Sequence, residues 1–146
     1  MKRSTGLRNY MLATGSFKAA LTGSVIKIYS GTAPATADAG IPGGSVLLLT
    51  YSLNGAGGGL SFDASAADGT LQKNQAEVWQ GVIAASGTPS FFRMQQTSDA
   101  GSDSVALVRL QGTVGIQDAD MVVSNTTWTS GDERKLTYFT ATIAAG

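Results

Sequence analysis

The sequence predicts an all-β protein: an antiparallel β-sandwich, expected to be jelly-roll-like, with a short helical N-terminal arm. Beyond residue 23, apolar and polar residues alternate in short runs separated by Gly, Ser, Asp and Asn, which is the pattern of strands joined by turns. About eight or nine such runs recur at intervals of roughly 8–16 residues, as in sandwiches and barrels. Helical spacing occurs only before residue 23. We therefore expect an arm over residues 1–23 and a single β-sandwich domain over residues 24–146.

The composition favours a protein that packs against neighbours. A chain of 146 residues suits one domain, which buries roughly 70% of its unfolded surface and needs no disulfide or metal in order to fold. Charged residues make up only 14% of the chain, whereas soluble domains are about 25% charged. The formal net charge is zero, so an overall footprint for nucleic acid or an acidic membrane is missing. We expect no specific nucleic-acid partner and no membrane partner.

The N-terminal arm contains two short segments with helical spacing. Ser4 or Thr5 is placed to cap the first segment, whose apolar residues share one face, and Ser16 is placed to cap the second, which carries Phe17. Both are shorter than the roughly 12 residues at which an isolated helix becomes marginally stable in water. They therefore need a surface to pack on, either their own sandwich or a neighbouring subunit.

The arm is also basic. No acidic residue precedes Asp38, and half of all Lys and Arg residues lie before it. Such a charge run is either a solvated surface or a contact with an acidic partner. Five arm residues are the candidate partner-binding residues: Leu7, Arg8, Tyr10, Met11 and Phe17.

The remainder of the chain is divided into strands by its turn residues. Strands are predicted over residues 24–30, 45–53, 60–62, 70–73, 76–84, 90–97, 105–114, 121–123 and 134–143, with 126–129 as a further short candidate. The turn at 86–89 predicts a hairpin between 76–84 and 90–97. The run 134–143 is predicted as one closing strand.

The residue types of most catalytic and metal sites are missing from the sequence. Cys and His are both absent, which excludes histidine-dependent triads, thiolate nucleophiles and zinc sites with Cys or His ligands. Neither of the common glycine-rich phosphate-binding motifs is present. We therefore assign no catalytic, cofactor-binding or metal-binding residue, expect no cofactor, and predict that the protein is not an enzyme.

Carboxylate pairs and strand aromatics are the remaining candidates for a site. Asp118 and Asp120 lie close together, and Asp99 and Asp103 lie on one polar loop. A glycosidase needs two carboxylates about 5–9 Å apart and calcium needs several converging oxygens, but Asp in turn-like sequence commonly hydrogen-bonds its own backbone. Turn chemistry is the favoured interpretation, with calcium binding and catalysis as alternatives. Four aromatics are interpreted as core or interface residues, with a sugar- or base-binding platform as the alternative: Trp79, Phe91, Phe92 and Trp128.

Several segments resemble small structural proteins of tailed-bacteriophage virions. They are STGLRN at residues 4–9, IYSGTAPATADA at 28–39, AEVWQG at 76–81, and QGTVG followed by ADM within 111–121. These segments extend along the whole chain, but none is a chemical signature. The resemblance is to capsid decoration (cement) proteins and to tail-associated β-modules, and it supplies no functional residue to carry over.

The resemblance implies a structural role in which many identical chains bind a lattice. The first expectation is a capsid decoration protein that binds and stabilises the major-capsid lattice. Its partners would be the major capsid protein or other virion proteins, it would form homo-oligomers, and it would reside in the virion after synthesis in the host cytoplasm. The alternative is a tail or tail-fibre β-module that binds another tail protein or a host glycan. A third hypothesis is an enzyme acting on envelope polysaccharide, with Asp118 and Asp120 as its best candidate residues.

Overall fold

The N-terminal arm folds into a short strand followed by two helices. The computed structural model describes residues 1–143, so the last three residues of the predicted domain lie outside the described part of the chain. Strand β1 (Lys2–Arg3) is followed by α1 (Thr5–Ala13) and α2 (Phe17–Leu21). The prediction of two short helices in the arm is confirmed.

Serine caps begin both helices, as their positions in the sequence indicate. The Ser4 side chain accepts a hydrogen bond from the Leu7 N–H at 3.0 Å, and the Ser16 side chain accepts one from the Ala19 N–H at 3.1 Å. Each cap satisfies a donor that lacks a partner within its own helix. After α2, Gly23 has a φ of 88°, a conformation that a side chain disfavours, and the chain turns there into the first long strand.

Within residues 24–143, nine further strands follow the arm. They are β2 (Ser24–Tyr29), β3 (Leu47–Leu53), β4 (Thr70–Gln72), β5 (Trp79–Val82), β6 (Phe91–Gln96), β7 (Arg109–Gly115), β8 (Met121–Val122), β9 (Glu133–Leu136) and β10 (Thr140–Thr142). The predicted strand at 60–62 is reduced to isolated bridges at Leu60 and Phe62, and the candidate at 126–129 to a bridge at Trp128. Residues 105–108 form a turn before β7, because the Ser104 side chain accepts the N–H groups of Ala106 and Leu107.

The strands form one large, mainly antiparallel sheet and one small sheet. The large sheet has the order β1-β7-β6-β2-β3-β5-β9, with β8 paired in parallel to β7, and β10 pairs with β4 in the small sheet. The prediction of an all-β, antiparallel, sandwich-like fold with a short helical N-terminal segment is confirmed. Nothing in this order requires two sheets of four strands each, so the finer jelly-roll expectation stays a prediction.

The predicted hairpin between β5 and β6 is wrong. Strand β6 pairs with β2 and β7, whereas β5 pairs with β3 and β9. The intervening loop has partners of its own, since the Ala84 N–H donates to the Leu48 carbonyl and Gly87 pairs with Trp128. The chain therefore leaves β5 beside β3 and crosses to the far side of β2 before it enters β6.

The predicted closing strand 134–143 is divided into β9 and β10, which belong to different sheets. The chain bends between them, so that Tyr138 is 65% exposed while the neighbouring Phe139 is buried. One extended strand would not bring its two halves to β5 and β4, which is the physical reason for the break.

An apolar core fills one side of the large sheet. Trp79 lies at its centre, with its ring centroid 5.8 Å from those of both Phe62 and Phe139. Phe92 contacts Phe139 edge-on at 5.9 Å. Such tilted and edge-on contacts add to the stabilisation from burial alone. Three of the aromatics proposed as a possible ligand platform, Trp79, Phe92 and Trp128, are thus core residues.

The opposite face of β6 and β7 is polar and yet buried. Arg93 and Gln95 on β6, and Arg109 and Gln111 on β7, are each at most 2% exposed. Loops, and not a second sheet, cover this face: Gln111 donates to the Pro34 carbonyl at 2.8 Å and Gln95 to the Asp99 carbonyl at 2.6 Å. Long loops need partners for their own backbone groups, and these side chains supply them.

Replacing Ser4 with alanine is expected to lower the free energy of unfolding by about 2 kcal/mol, because it removes a helix cap and two further buried hydrogen bonds. The Ser4 hydroxyl accepts from the N–H groups of Leu7 and Arg109 and donates to the Leu107 carbonyl at 2.8 Å. Urea denaturation measures the loss. The matched control is Ser16→Ala, which removes an exposed cap with a single contact; an equal effect of the two substitutions would contradict the prediction.

Candidate functional site

The N-terminal arm is fastened along its length to distant parts of the domain. The terminal ammonium lies 2.7 Å from Asp120 Oδ1, and the Lys2 Nζ donates to the Ala35 carbonyl at 2.9 Å. Thr5 donates to Asp38 through both its N–H, at 2.7 Å, and its hydroxyl, at 2.8 Å. These bonds fix the position of α1 before any partner is bound.

Helix α1 packs closely on the loop that precedes β7. A Cβ atom built at Gly6 would collide with the carbonyl oxygen of Ala106, so glycine is needed for this approach. The same loop carries exposed apolar side chains, with Val105 67% and Leu107 38% exposed. The surface around α1 is therefore formed by the arm and this loop together.

The predicted partner-binding residues have different environments. Leu7 is fully buried in the core, and its assignment to a partner contact is corrected: in this conformation the side chain stabilises the fold. Tyr10, Met11 and Phe17 are half-buried and pack against the same core. Arg8 is exposed, and its guanidinium donates to the Thr5 hydroxyl at 2.8 Å. Of the five residues, Arg8 is the one whose side chain lies mainly in solvent.

Leu12 is the exposed apolar residue of α1 that the sequence-based assignment missed. Its side chain is 85% exposed. At 100° per residue, position 12 lies about 140° around the helix from Leu7, so it is an apolar residue off the apolar face. The position of Leu12 off the apolar face was the feature of the sequence that could have predicted its exposure.

The loop carboxylates are engaged in structural contacts. Asp99 accepts from Arg109 and from the Gly101 N–H, and Asp103 accepts from the Gly40 N–H at 2.8 Å. Asp118 occupies a turn with a φ of 50°, and Asp120 binds the N-terminal ammonium and the Thr113 N–H. Across residues 1–143, no group of three or more acidic side chains is placed to hold a metal ion. Asp99, Asp103 and Asp120 thus make bracing contacts, whereas Asp118 is assigned to turn chemistry by its backbone conformation alone.

Arg109 and Asp99 form a fully buried ion pair. Arg109 Nε lies 2.6 Å from Asp99 Oδ2 and Nη2 lies 2.7 Å from Oδ1, the bidentate geometry that favours this pair. Arg109 also donates to the carbonyls of Ala37, Asp38 and Ser102. Burial alone would raise the pKa of Asp99, but the hydrogen bonds from Arg109 and Gly101 and the positive charge of Arg109 hold it below its ordinary value. One arginine thus ties two covering loops to β7.

Arg93 is a second buried arginine, without a carboxylate. Its Nη2 donates to Gln111 Oε1 at 2.6 Å, while its Nε and Nη1 have no hydrogen-bond partner within residues 1–143. Burial and the nearby charge of Arg109 lower the pKa of Arg93. The described grooves do not reach this side chain. Arg93 is therefore part of the interior and not of an open site.

A lysine and a glutamate on the β4–β5 connection form a further polar cluster that sequence reasoning missed. Glu77 accepts from the Ser61 hydroxyl at 2.6 Å and from the Trp79 Nε1 at 2.8 Å. Lys73 is 4% exposed, and its Nζ donates to the Glu77 carbonyl and lies 5.4 Å from the Trp79 ring centroid. Burial lowers the pKa of Lys73, against the opposing effect of Glu77. These contacts orient Trp79 and its connection.

A groove of about 460 Å³ lies between β8 and residues 134–140. Tyr51 and Trp128 are buried in its floor, and the Arg134 guanidinium lies over the Trp128 ring at 5.2 Å. Burial raises the pKa of Tyr51 to about 12, against a small lowering by Arg134. A second groove of about 280 Å³ continues past Asp120 between β1 and β10. These grooves, together with the surface around α1, are the candidate interaction sites.

Comparison of the chain with protein-family models, curated proteins and solved structures found no match. Neither helix within residues 1–143 has the length and hydropathy required to cross a bilayer.

Proposed function

We propose that the protein is a structural subunit of a tailed-bacteriophage virion, a capsid decoration protein that binds and stabilises the major-capsid lattice. The observation that carries the proposal is a preformed helix, α1, that keeps Leu12 85% exposed. A contact surface that is ordered before binding loses little conformational entropy on association. On binding, the Leu12 side chain would become buried against the partner, and the exposed Arg8 beside it would recognise a charged group there.

The internal use of charge supports the same role. Three of the four candidate carboxylates, Asp99, Asp103 and Asp120, brace loops and the N-terminus, and the chain carries only 14% charged residues. A surface with few charged residues suits permanent packing against neighbouring subunits better than a monomer that is exposed to water on all sides. Many copies, homo-oligomeric association and residence in the virion belong to this proposal.

The proposal is tested by locating the protein in purified particles of the phage that encodes it. Immunogold labelling and quantitative mass spectrometry give its position and copy number. Copies distributed over the whole shell would support decoration. A single ring at the tail would instead support the tail module, and absence from the particle would overturn both.

Replacing Leu12 with aspartate is expected to abolish attachment to particles while lowering the free energy of unfolding by about 1 kcal/mol or less, because the side chain is exposed and the cost is limited to helix propensity and the helix dipole. Particles that lack the protein are incubated with wild-type or variant chain, and bound protein is quantified after sedimentation. Asn9→Asp adds the same charge at another exposed position of α1 and is the control. If the Leu12 variant bound to particles at full occupancy, the prediction that α1 forms the interface would be wrong.

A point substitution is preferable to deletion of the arm. Leu7 and Leu21 belong to the arm and are both fully buried, so a chain lacking residues 1–23 would lose part of its core. Loss of binding by such a chain would not distinguish a missing contact from a missing fold.

The alternative is a tail or tail-fibre β-module that binds another tail protein or a host glycan. The large groove favours it, since the exposed Tyr138 lies on its wall beside Arg134 and Lys135. Glycan-array binding together with a tail position would select this function over decoration.

A further inference from the structure

The two grooves form one continuous seam between two edges of the fold. They share Asp120 and Thr140 among their lining residues. Strands β1 and β8 form one wall of the seam, and the stretch that contains β9 and β10 forms the other. The name "seam" is used below for these two grooves together.

The first wall is a strand edge with outward-facing backbone groups. Strands β1 and β8 pair end to end along the same side of β7. The Ser4 N–H donates to the Arg109 carbonyl and the Val123 N–H donates to the Gly115 carbonyl, so these residues point their backbone groups at β7. Backbone direction alternates along a strand. The N–H and C=O of Arg3 and Val122 therefore point away from β7, towards the seam.

The second wall is an edge of the same kind. The Asp132 carbonyl accepts from the Ile83 N–H on the β5 side, so alternation directs the backbone groups of Lys135 away from β5. The Phe139 carbonyl accepts from the Lys73 N–H, and the Ile143 N–H donates to the Gly69 carbonyl.

Phe139 and Ile143 thus point their backbone groups towards the β4 side, and Ala141 pairs with Leu71 between them. The backbone groups of Thr140 and Thr142, which alternate with these, point away from β4.

Five residues whose backbone groups face outward line the seam: Arg3, Val122, Lys135, Thr140 and Thr142. Within residues 1–143, no backbone hydrogen bond joins the two walls. Facing edges with free donors and acceptors are templates for an added strand. A strand inserted between them would lie about 4.8 Å from each edge.

The seam also offers apolar contacts to such a strand. Its floor contains the buried side chains of Tyr51, Trp128 and Phe139. Three of the exposed large apolar side chains stand on its walls: Val122 at 62%, Tyr138 at 65% and Ile143 at 45%. Alternate side chains of an inserted strand would meet the floor, as in strand addition generally.

The charges along the seam are predominantly positive. Arg3, Arg134 and Lys135 line it, and the single lining carboxylate, Asp120, is paired with the N-terminal ammonium at 2.7 Å. Arg134 donates to the neutral Asn125 side chain, and Lys135 lies 4.0 Å from the exposed Glu133. This local excess of positive charge occurs in a chain with a formal net charge of zero.

We propose that the seam binds a short extended segment of a partner protein, with acidic and apolar side chains in alternation, as an added β-strand. Backbone pairing to two edges provides affinity, the aromatic floor receives the apolar side chains, and Arg3, Arg134 and Lys135 select acidic ones. A sugar chain would leave the facing backbone groups without strand partners, so a peptide fits the seam better. The inference does not require the virion role, because it concerns the isolated chain.

The test uses the isolated protein and a synthetic decapeptide in which glutamate and valine alternate. Binding is followed by titration, with ¹H–¹⁵N correlation spectra that resolve the backbone amides, and by amide hydrogen exchange. In the free protein, the amides of Arg3, Val122, Lys135, Thr140 and Thr142 should exchange quickly, and peptide binding should slow their exchange. The amides of Arg134 and Leu136, which face β5, are internal controls that should be protected in both states.

Two matched peptides separate the contributions to binding. A peptide with lysine in place of glutamate should bind about tenfold or more weakly, because like charges then meet along the seam. A peptide N-methylated at alternate residues along one edge keeps the side chains but loses half of the strand bonds, and it too should bind far more weakly. Equal binding of either control to that of the parent peptide would overturn the proposal.

Protein variants locate the site. Arg3→Glu combined with Lys135→Glu is expected to weaken binding of the acidic peptide by about tenfold or more, and both side chains are exposed, so the fold should be retained. Lys18→Glu reverses the charge of a partly exposed side chain that lines neither groove, and it is the control. No binding of the acidic peptide at millimolar concentration, or protection of the five amides by an acidic oligosaccharide but not by the peptide, would overturn the proposal. Neither result would bear on the virion role, which is tested on particles.

Discussion

Replacing Asp99 with alanine is expected to lower the free energy of unfolding by about 3–5 kcal/mol, because the Arg109 guanidinium would remain buried without its counterion. The two side chains are at most 1% exposed and share two short hydrogen bonds, of 2.6 and 2.7 Å. The Gly101 N–H would also lose its acceptor. Urea denaturation monitored by circular dichroism measures the effect.

The control is the double variant Asp99→Ala with Arg109→Met. When both charges are removed, no uncompensated charge is buried, so the double variant should be more stable than the sum of the single losses predicts. Part of the loss should remain, since Arg109 also binds the Ala37, Asp38 and Ser102 carbonyls. Strict additivity would show that the two residues do not act as a pair.

The pH dependence of stability should report the same contact. The pKa of Asp99 is lowered in the folded protein: burial opposes the shift, and the bonds and charge of Arg109 outweigh burial. A depressed folded-state pKa contributes stability that is fully present above the unfolded-state value, about 3.9, and is lost as the pH falls through the folded-state value. Stability should therefore decline below about pH 4, and the decline should be smaller in Asp99→Ala.

Replacing Leu7 with alanine is expected to lower the free energy of unfolding by about 2–5 kcal/mol, because it creates a cavity in a packed core. Leu7 is fully buried, although it lies on a helix at the molecular surface. Chemical denaturation at fixed pH measures the change.

Leu12→Ala makes the same change on the same helix at an 85% exposed position, and it should alter stability by less than about 0.5 kcal/mol. The contrast between the two leucines separates packing from helix propensity, which is the same for both. Unchanged stability of the Leu7 variant, together with weaker partner binding, would restore Leu7 as a contact residue.

Local features of the fold were predictable because their causes are local. Ser4 and Ser16 each precede a helix whose N–H groups lack partners, and the caps form where the sequence places them. Strands β2 and β3 follow the alternating or continuous apolar runs closely. Turn residues such as Asp118 adopt the left-handed backbone that short polar side chains tolerate.

Pairing between strands was less predictable because it depends on distant residues. Alternation identifies the faces of β5 and β6 but not their neighbours, and β6 pairs with β2, more than 60 residues earlier in the chain. The polar residues of β6 and β7 are a second example: arginine is a residue type that is mostly exposed in proteins, yet Arg93 and Arg109 are fully buried beneath loops. Whether a polar face is covered is decided by loops whose course the sequence does not reveal.

The candidate sites show the same difference between features with local causes and features that depend on distant residues. Helical spacing grouped Leu7 with Tyr10 and Met11 correctly and set Leu12 apart from them, but it could not indicate whether the apolar face packs on its own domain or on a partner. The structure buries Leu7 and leaves Leu12 in solvent. The seam had no signal in the sequence, because its strands come from both ends of the chain and only the fold brings β1 opposite β10.

The fastening of the arm to β7 has a consequence for the order in which the chain folds. Ser4 and its partner Arg109 are 105 residues apart, and the terminal ammonium and Asp120 are 119 residues apart. During synthesis the first residues therefore emerge long before the groups that hold them. The arm, which leads in sequence, is then among the last parts to dock, and contacts of such long range make folding slow. Until β7 appears, the apolar face of α1 has no core to cover it, and such exposed apolar surface favours aggregation of the nascent chain.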